Sequence, residues 1–321
     1  MRVRRFRPVP RSRVVTTAVC AVTIALALAS CSGSDADDAA AEPTTTERST
    51  SAESTTSSTS TTVLADQTPP VGANGIKVAD DGSLWIASLA SDVVLNVDAA
   101  SGTILRRVAT PPGSGPDDVA VADDGTVFWT GWLSGDVGRI APDSEATAVV
   151  ANVGVGANPI ALRSDGMLVV GRAGGVTGLY AVDPDGDPGP VALADPGNLN
   201  SFSSSPTGQF FAPDLATASV VEVDPDTGEL VRVVAPVDGA PVGVRWHDGE
   251  LFVLVLSDAA RVFRVDPSTG DVALFGETGL EAADNLAVGR GGTVYVTGLS
   301  VPSVTVLGAD GVVERTVSIG G

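Results

Sequence analysis

The stretch "GANGIKVADDGSLWIAS", residues 72–88, sets the pattern for the chain. It reads as a short apolar strand, an acidic turn closed by Gly82, and a second strand from Leu84. It then recurs. "VADDGSLWIAS" (78–88) is answered by "VADDGTVFWTG" (121–131), "LRSDGMLVVGR" (162–172), "SSPTGQFFAPD" (204–214), "RWHDGELFVLV" (245–255) and "VGRGGTVYVTG" (288–298). The turn glycines are Gly82, Gly125, Gly166, Gly208, Gly249 and Gly292, so the period stays near 42 residues. Self-similarity at that period marks stacked supersecondary units.

Each unit has a second half. "VLNVDAASGTILRRV" (94–108) and "VVEVDPDTGELVRVV" (220–234) place Val-rich alternating runs on either side of a turn with Asp and Gly. Asp accepts local backbone hydrogen bonds, and Gly takes the left-handed position. No helical period runs through either half. Four short strands per unit, six times over, predict an all-β chain: a six-bladed β-propeller of four-stranded antiparallel blades. The residues three beyond each turn glycine are Trp85, Phe128, Val169, Phe211, Phe252 and Tyr295. They are expected to fill the wedges between blades. Two segments compete for the outer edge of the last blade, "TTVLADQTPP" (61–70) and "VVERTVSI" (312–319). The second follows its hairpin directly and is the favoured one.

The ends carry different signals. Residues 1–30 hold six arginines and then an apolar run, Val14 to Ala29, too short for a comfortable span. They close in Leu28-Ala29-Ser30-Cys31, which resembles a bacterial lipobox. The expectation is a lipoprotein signal peptide over 1–30, acylation at Cys31, a disordered Ser/Thr-rich stalk over 31–66, and the propeller over 67–321. Membrane attachment would run through the lipid at Cys31, outside the cytoplasm. The whole chain has net charge −20. Removing the leader, with its six basic and no acidic residues, leaves 13 basic against 39 acidic residues, a net −26. That excess disfavours nucleic acid as a partner. It leaves a small molecule, a glycan or a protein. Cys20 and Cys31 are the only cysteines, so no disulfide is expected in the propeller.

Chemistry is expected at one rim. The loops leading into each first strand share a face with the loops between second and third strands, and the hairpin turns face the other way. Counting back eight residues from each turn glycine gives Asn74, Asp117, Asn158, Asn200 and Asp284. In the fifth unit Pro241-Val242 takes that place. Such residues cap turns by bonding their own backbone, or they converge as oxygen ligands. Trp132, Arg172 and Asp214 fall in loops of the same rim in the second, third and fourth units and are candidate ligand contacts. His247 falls in a hairpin turn on the opposite rim, where an exposed residue is expected. "DPDGDPG" (183–189) alternates Asp as a calcium loop does, yet it lacks that loop's Gly and Glu and reads as a hairpin turn.

"ANGIKVADDGSLWIA" and "ADNLAVGRGGTVYVT" resemble blades of the gluconolactonase and senescence-marker-protein superfamily of six-bladed propellers. They are also similar to NHL, YVTN and streptogramin-lyase-like repeats. The first resemblance implies a divalent cation such as Ca²⁺ or Mg²⁺ in the channel, held by Asn and Asp at first-strand starts together with a Glu. It implies a metal-polarised lactone carbonyl and an Asp as base. Asn74, Asn158 and Asn200 match the family's Asn in position, and Asp284 matches its Asp and would be the catalytic residue. The family's opening Glu-Gly-Pro has no counterpart, and Glu277 or Glu281 would have to replace it. Two readings stay open: a binding module that works through the channel rim, and a metal-dependent lactonase-like hydrolase.

Overall fold

The computed structural model describes residues 65–321. The leader, Cys31 and nearly all of the expected stalk lie outside the described residues. No helix among the described residues is long and apolar enough to cross a membrane.

Twenty-four strands form six separate four-stranded antiparallel sheets. Each sheet is one blade made of four consecutive strands. The first is β1 (Ile76–Val78), β2 (Leu84–Ser88), β3 (Val93–Val97) and β4 (Ile104–Ala109). The second runs from β5 (Pro116–Val121) through β6 (Val127–Gly131) and β7 (Asp136–Ile140) to β8 (Thr147–Asn152). The third holds β9 (Ala157–Leu162), β10 (Leu168–Arg172), β11 (Gly178–Val182) and the two-residue β12 (Val191–Ala192). The fourth holds β13 (Ser203–Ser204), β14 (Phe210–Asp214), β15 (Ser219–Val223) and β16 (Leu230–Pro236). The fifth is β17 (Ala240–His247) to β20 (Val272–Glu277), with β18 (Glu250–Leu256) and β19 (Arg261–Val265) between them. The sixth is β21 (Ala283–Val288), β22 (Val294–Gly298), β23 (Ser303–Leu307) and β24 (Val313–Ser318).

The repeat turns form as their chemistry dictates. In the first blade Ala79 N donates to Ser83 O across the turn, Gly82 N donates to Ala79 O, and Asp81 Oδ1 accepts from Ser83 N at 2.9 Å. The second and third blades repeat this with Asp124 to Thr126 and Asp165 to Met167. Gly82, with φ +86°, takes the backbone conformation that a Cβ would disfavour. The fifth blade differs. His247 pairs directly with Glu250, leaving Asp248 and Gly249, both at positive φ, as a two-residue turn. This tighter turn removes one residue from the count back to the channel.

The apolar core is divided into six clusters, one per blade interface. Between blades one and two, Trp85, Val94, Val108, Val119 and Trp129 pack together. Between six and one, Ile76, Leu95, Ile104, Val304 and Val306 do so. Trp85, Phe128, Val169, Phe211 and Phe252 are buried in such interfaces, as expected, and Tyr295 packs at the edge of one.

Ring closure follows the C-terminal option. β24 pairs along its length with β23, and residues 65–70 form no strand. They make a clasp instead. Gln67 Nε2 donates to Ile104 O at 2.8 Å, and Gln67 Oε1 accepts from Ile104 N at 2.9 Å. Gly320 N then donates to Gly102 O at 2.9 Å, tying the chain's end to the same outer edge of blade one.

Candidate functional site

The first strands line the central channel, and their starts carry a bulge. In blade two, Asp117 and Asp118 together face Thr130; in blade six, Asp284 and Asn285 face Thr297. A bulge places two residues against one and re-aims side chains. The threonines also join neighbouring blades. Thr130 Oγ1 donates to Asn158 O at 2.6 Å, and Thr297 Oγ1 donates to Asn74 O at 2.6 Å.

The residues at the shared offset do come together, but largely with one another. Asn74 Nδ2 donates to Asp117 Oδ1 at 3.3 Å, and Asn74 Oδ1 accepts from Leu89 N. Asn158 Nδ2 donates to Asn200 Oδ1 at 3.0 Å, and Asn200 Nδ2 donates to Val242 O at 2.8 Å. Val242 is therefore the fifth blade's member of the ring. Asn74, Asp117 and Asn158 are buried; Asn200 and Asp284 are partly so. Asp117 Oδ2 is buried with no hydrogen-bond partner. Burial pushes the Asp117 carboxyl well up, and the charges of Asp284 and Asp118 add to this. Burial, then the charge of Asp118, pushes Asp284 up to about 7.

The donor chemistry, carboxylate and carboxamide oxygen, suits a hard divalent cation. Among the described residues no group of three or more His, Cys, Asp or Glu side chains converges as a metal site. Glu277 ends β20 on the outer edge of blade five, where it pairs with Arg261 at 3.3 Å; Glu281 is exposed. Neither bonds to the ring. The oxygens left to a cation there are those of the Asn and Asp side chains, with the buried Asp117 Oδ2 unpartnered among them.

Asp284 gives a stability test with a definite sign. A carboxyl that ionises near 3.8 in the unfolded chain and near 7 in the folded one favours the fold while protonated. That contribution is full below about pH 4 and is lost as pH rises towards 7. Partial solvent contact screens the effect, which leaves about 2–4 kcal/mol of relative loss. Asp284→Asn is expected to come nearest to wild type at about pH 3.5 and to exceed it increasingly up to pH 8 in urea unfolding. A constant difference between the two across pH would contradict the assignment.

The outer rim residues are placed as follows. Trp132 is half-buried after β6, and a Cβ at Gly174 would lie 3.1 Å from its ring edge. Arg172 ends β10, with its guanidinium over Gly154 and Nε donating to Val155 O at 3.1 Å. Trp132 and Arg172 thus border one segment, 154–156, because Gly156 N also donates to Trp132 O. Asp214 ends β14 rather than lying in a loop. Its carboxylate caps that loop, accepting from Ala216 N at 2.9 Å and Thr217 Oγ1 at 2.6 Å, so it is spent locally. His247 is less exposed than expected. It ends β17 and meets the Phe252 ring edge-on at 6.1 Å.

Sequence reasoning missed the axis itself. Strand register aligns Lys77, Ala120, Ala161, Ser203, Arg245 and Ala287 as one layer, each opposite the interface residue of β2, β6, β10, β14, β18 or β22. Arg245 is buried there. Its Nη1 donates to Ser201 Oγ, Phe202 O and Val244 O, and its Nη2 to Ile76 O and Asn285 Oδ1. Asn285 Nδ2 reaches Asp118 Oδ1 at 3.4 Å, and Asp118 Oδ2 accepts from Ile160 N at 3.3 Å. One hydrogen-bonded chain thereby touches all six blades.

No protein-family model matches the chain, and no curated protein sequence matches it. Solved structures do. Virginiamycin B lyase from Staphylococcus aureus superposes with a TM-score of 0.60 at 15% identity, over 80% of this chain and 87% of that one. Regucalcin from Agrobacterium tumefaciens, described as a calcium-binding protein, gives 0.58 at 19% identity, over 72% and 83%. The PQQ-bound aldose sugar dehydrogenase from Streptomyces coelicolor gives 0.57 at 18% identity, over 78% and 92%. At these identities the likeness is one of architecture, and with the six sheets above it makes this chain a six-bladed β-propeller.

Proposed function

We propose that this protein is a lipid-anchored, extracytoplasmic binding module that holds a small molecule, glycan or protein segment at the loop-side rim of its channel. The observation that carries the reading is that Trp132, through its backbone carbonyl, and Arg172, through its guanidinium, are both tied to segment 154–156 of the loop-side rim. An indole and a guanidinium carried by neighbouring loops of one rim suit sugar rings and amphipathic side chains. The ring of Asn74, Asp117, Asn158, Asn200 and Asp284 then forms the floor of the site. Anchoring through Cys31 would place this rim outside the membrane on a long tether. Trp132→Ala is expected to abolish ligand-induced thermal shifts in a screen of sugars and peptides, with the unliganded melting temperature nearly unchanged. A ligand whose shift survives in both Trp132→Ala and Arg172→Ala would move the site elsewhere.

A lactonase-like hydrolase is the second reading. The orphaned Asp117 Oδ2, close to the raised carboxyl of Asp284, favours it. Such a carboxyl is poised to take a proton near neutral pH. Regucalcin's calcium binding adds Ca²⁺ as the cation to try first. Hydrolysis of a sugar lactone that needs added Ca²⁺, and that is lost in Asp284→Asn, would put this reading first. Thermal shifts that are flat with Ca²⁺, Mg²⁺, Mn²⁺ and Zn²⁺ would remove it.

A further inference from the structure

The opposite, hairpin-side end of the channel has its own chemistry. A cavity of about 230 Å³ opens there, with Lys77 and Arg245 as its only charged lining residues and Ala120, Ala161, Phe202 and Ser203 among the rest. Arg245 is only 6% exposed, yet its Nε has no partner. Lys77 is partly buried in the same layer, and its ammonium makes no hydrogen bond or ion pair among the described residues. Burial, followed by the charge of Arg245, brings the Lys77 amine down to about 7. The four other positions of the layer are Ala, Ala, Ser and Ala, so packing at the axis does not require a cation.

The charges there do not balance. Asp118 is the carboxylate that faces both cations, and its oxygens already accept from Val119 N, Ile160 N and Asn285 Nδ2. Asp117 and Asp284 lie at the loop-side end and are held towards their neutral forms. Two cationic groups thus line one cavity, Lys77 with its donors free, and the single carboxylate that faces them is already engaged. A buried charge without a partner is costly, and a bound anion would remove that cost.

The surroundings narrow the class of anion. Six apolar side chains line the walls beside two serine hydroxyls, Ser203 and Ser204, which suits an organic body better than a fully solvated inorganic oxyanion. The turns around this rim carry Asp80, Asp81, Asp123, Asp124, Asp165 and Asp226, which repel multiply charged ligands. The geometry points to a binding site for a small organic monocarboxylate, with its carboxylate on Lys77 Nζ and in the field of the Arg245 guanidinium. This site lies at the other end of the channel from the rim proposed above and does not depend on it.

The test uses the full chain at constant ionic strength, with acetate, lactate, pyruvate and gluconate as probes and sulfate and phosphate as controls. At least one monocarboxylate is expected to raise the melting temperature in a concentration-dependent way and to titrate calorimetrically with one site, while the dianions do neither. Lys77→Met is expected to melt higher than wild type without ligand and to bind the acid roughly 10- to 100-fold more weakly. Lys77→Gln, should Lys77→Met fail to fold, carries the same expectation for binding. The proposal is overturned if no monocarboxylate binds, if both variants bind as wild type does, or if sulfate binds as tightly as the best acid.

Discussion

Trp129→Ala is expected to cost about 3–5 kcal/mol, the largest loss from a single apolar truncation in this protein. Trp129 has no solvent exposure, and it sits in the interface between the first two blades with Trp85, Val119 and Ile140. Its indole Nε1 donates to Thr147 Oγ1 at 2.7 Å, so truncation also strands a polar partner. The ring lies flat on a neighbouring strand at Gly138, where a Cβ would fall 2.0 Å from Trp129 Cε2. Gly138→Ala therefore attacks the same packing from the other side, at about 1–3 kcal/mol. Urea unfolding of the two single variants and the double reads both effects. Because the alanine at 138 has space once the indole is gone, the double variant should lose less than the sum. Additive losses would show that the ring does not rest on Gly138.

Arg245→Met is expected to destabilise by about 3–5 kcal/mol, because it leaves buried acceptors unpaired. The guanidinium satisfies backbone carbonyls of Ile76, Phe202 and Val244, which belong to blades one, four and five. A methionine fills much of the volume and bonds none of them. Lys77→Met, two places round the same layer, is expected to change stability with the opposite sign. Both substitutions remove a cation from the axis, and they differ in whether that cation has hydrogen-bond partners. Equal effects of the two on the urea midpoint would mean that bulk charge, rather than hydrogen bonding, governs the axis.

The same contrast explains what the sequence discloses. Six turn glycines near a 42-residue period are enough for six blades, because turn chemistry is local and repeats. The ring of Asn and Asp at the strand starts is also legible by counting. What those side chains bond to is not, since partners such as Asn158 and Asn200 lie 42 residues apart and meet only across blades. Arg245 is hidden for a more specific reason. Its blade uses a two-residue turn, so counting back from Gly249 puts Arg245 one place out of line with Lys77. Lys77 alone reads as an ordinary solvated strand residue, and His247 reads as a free turn residue until its packing on Phe252 is seen.

The clasp at Gln67 and the build of the sheets have a consequence for covalent order. Every sheet is made of consecutive strands, so no blade borrows a strand from the far end of the chain. The propeller's first and last segments nevertheless meet: a Cβ on Gly320 would lie 2.2 Å from Gln67 O. A short linker between them would turn the chain into a covalent circle. Such a circle could be reopened in the loop before Pro116, or before any later first strand, without cutting a sheet. The order in which the blades are joined is thus incidental to the ring, and the seam between blades six and one is an interface like the other five.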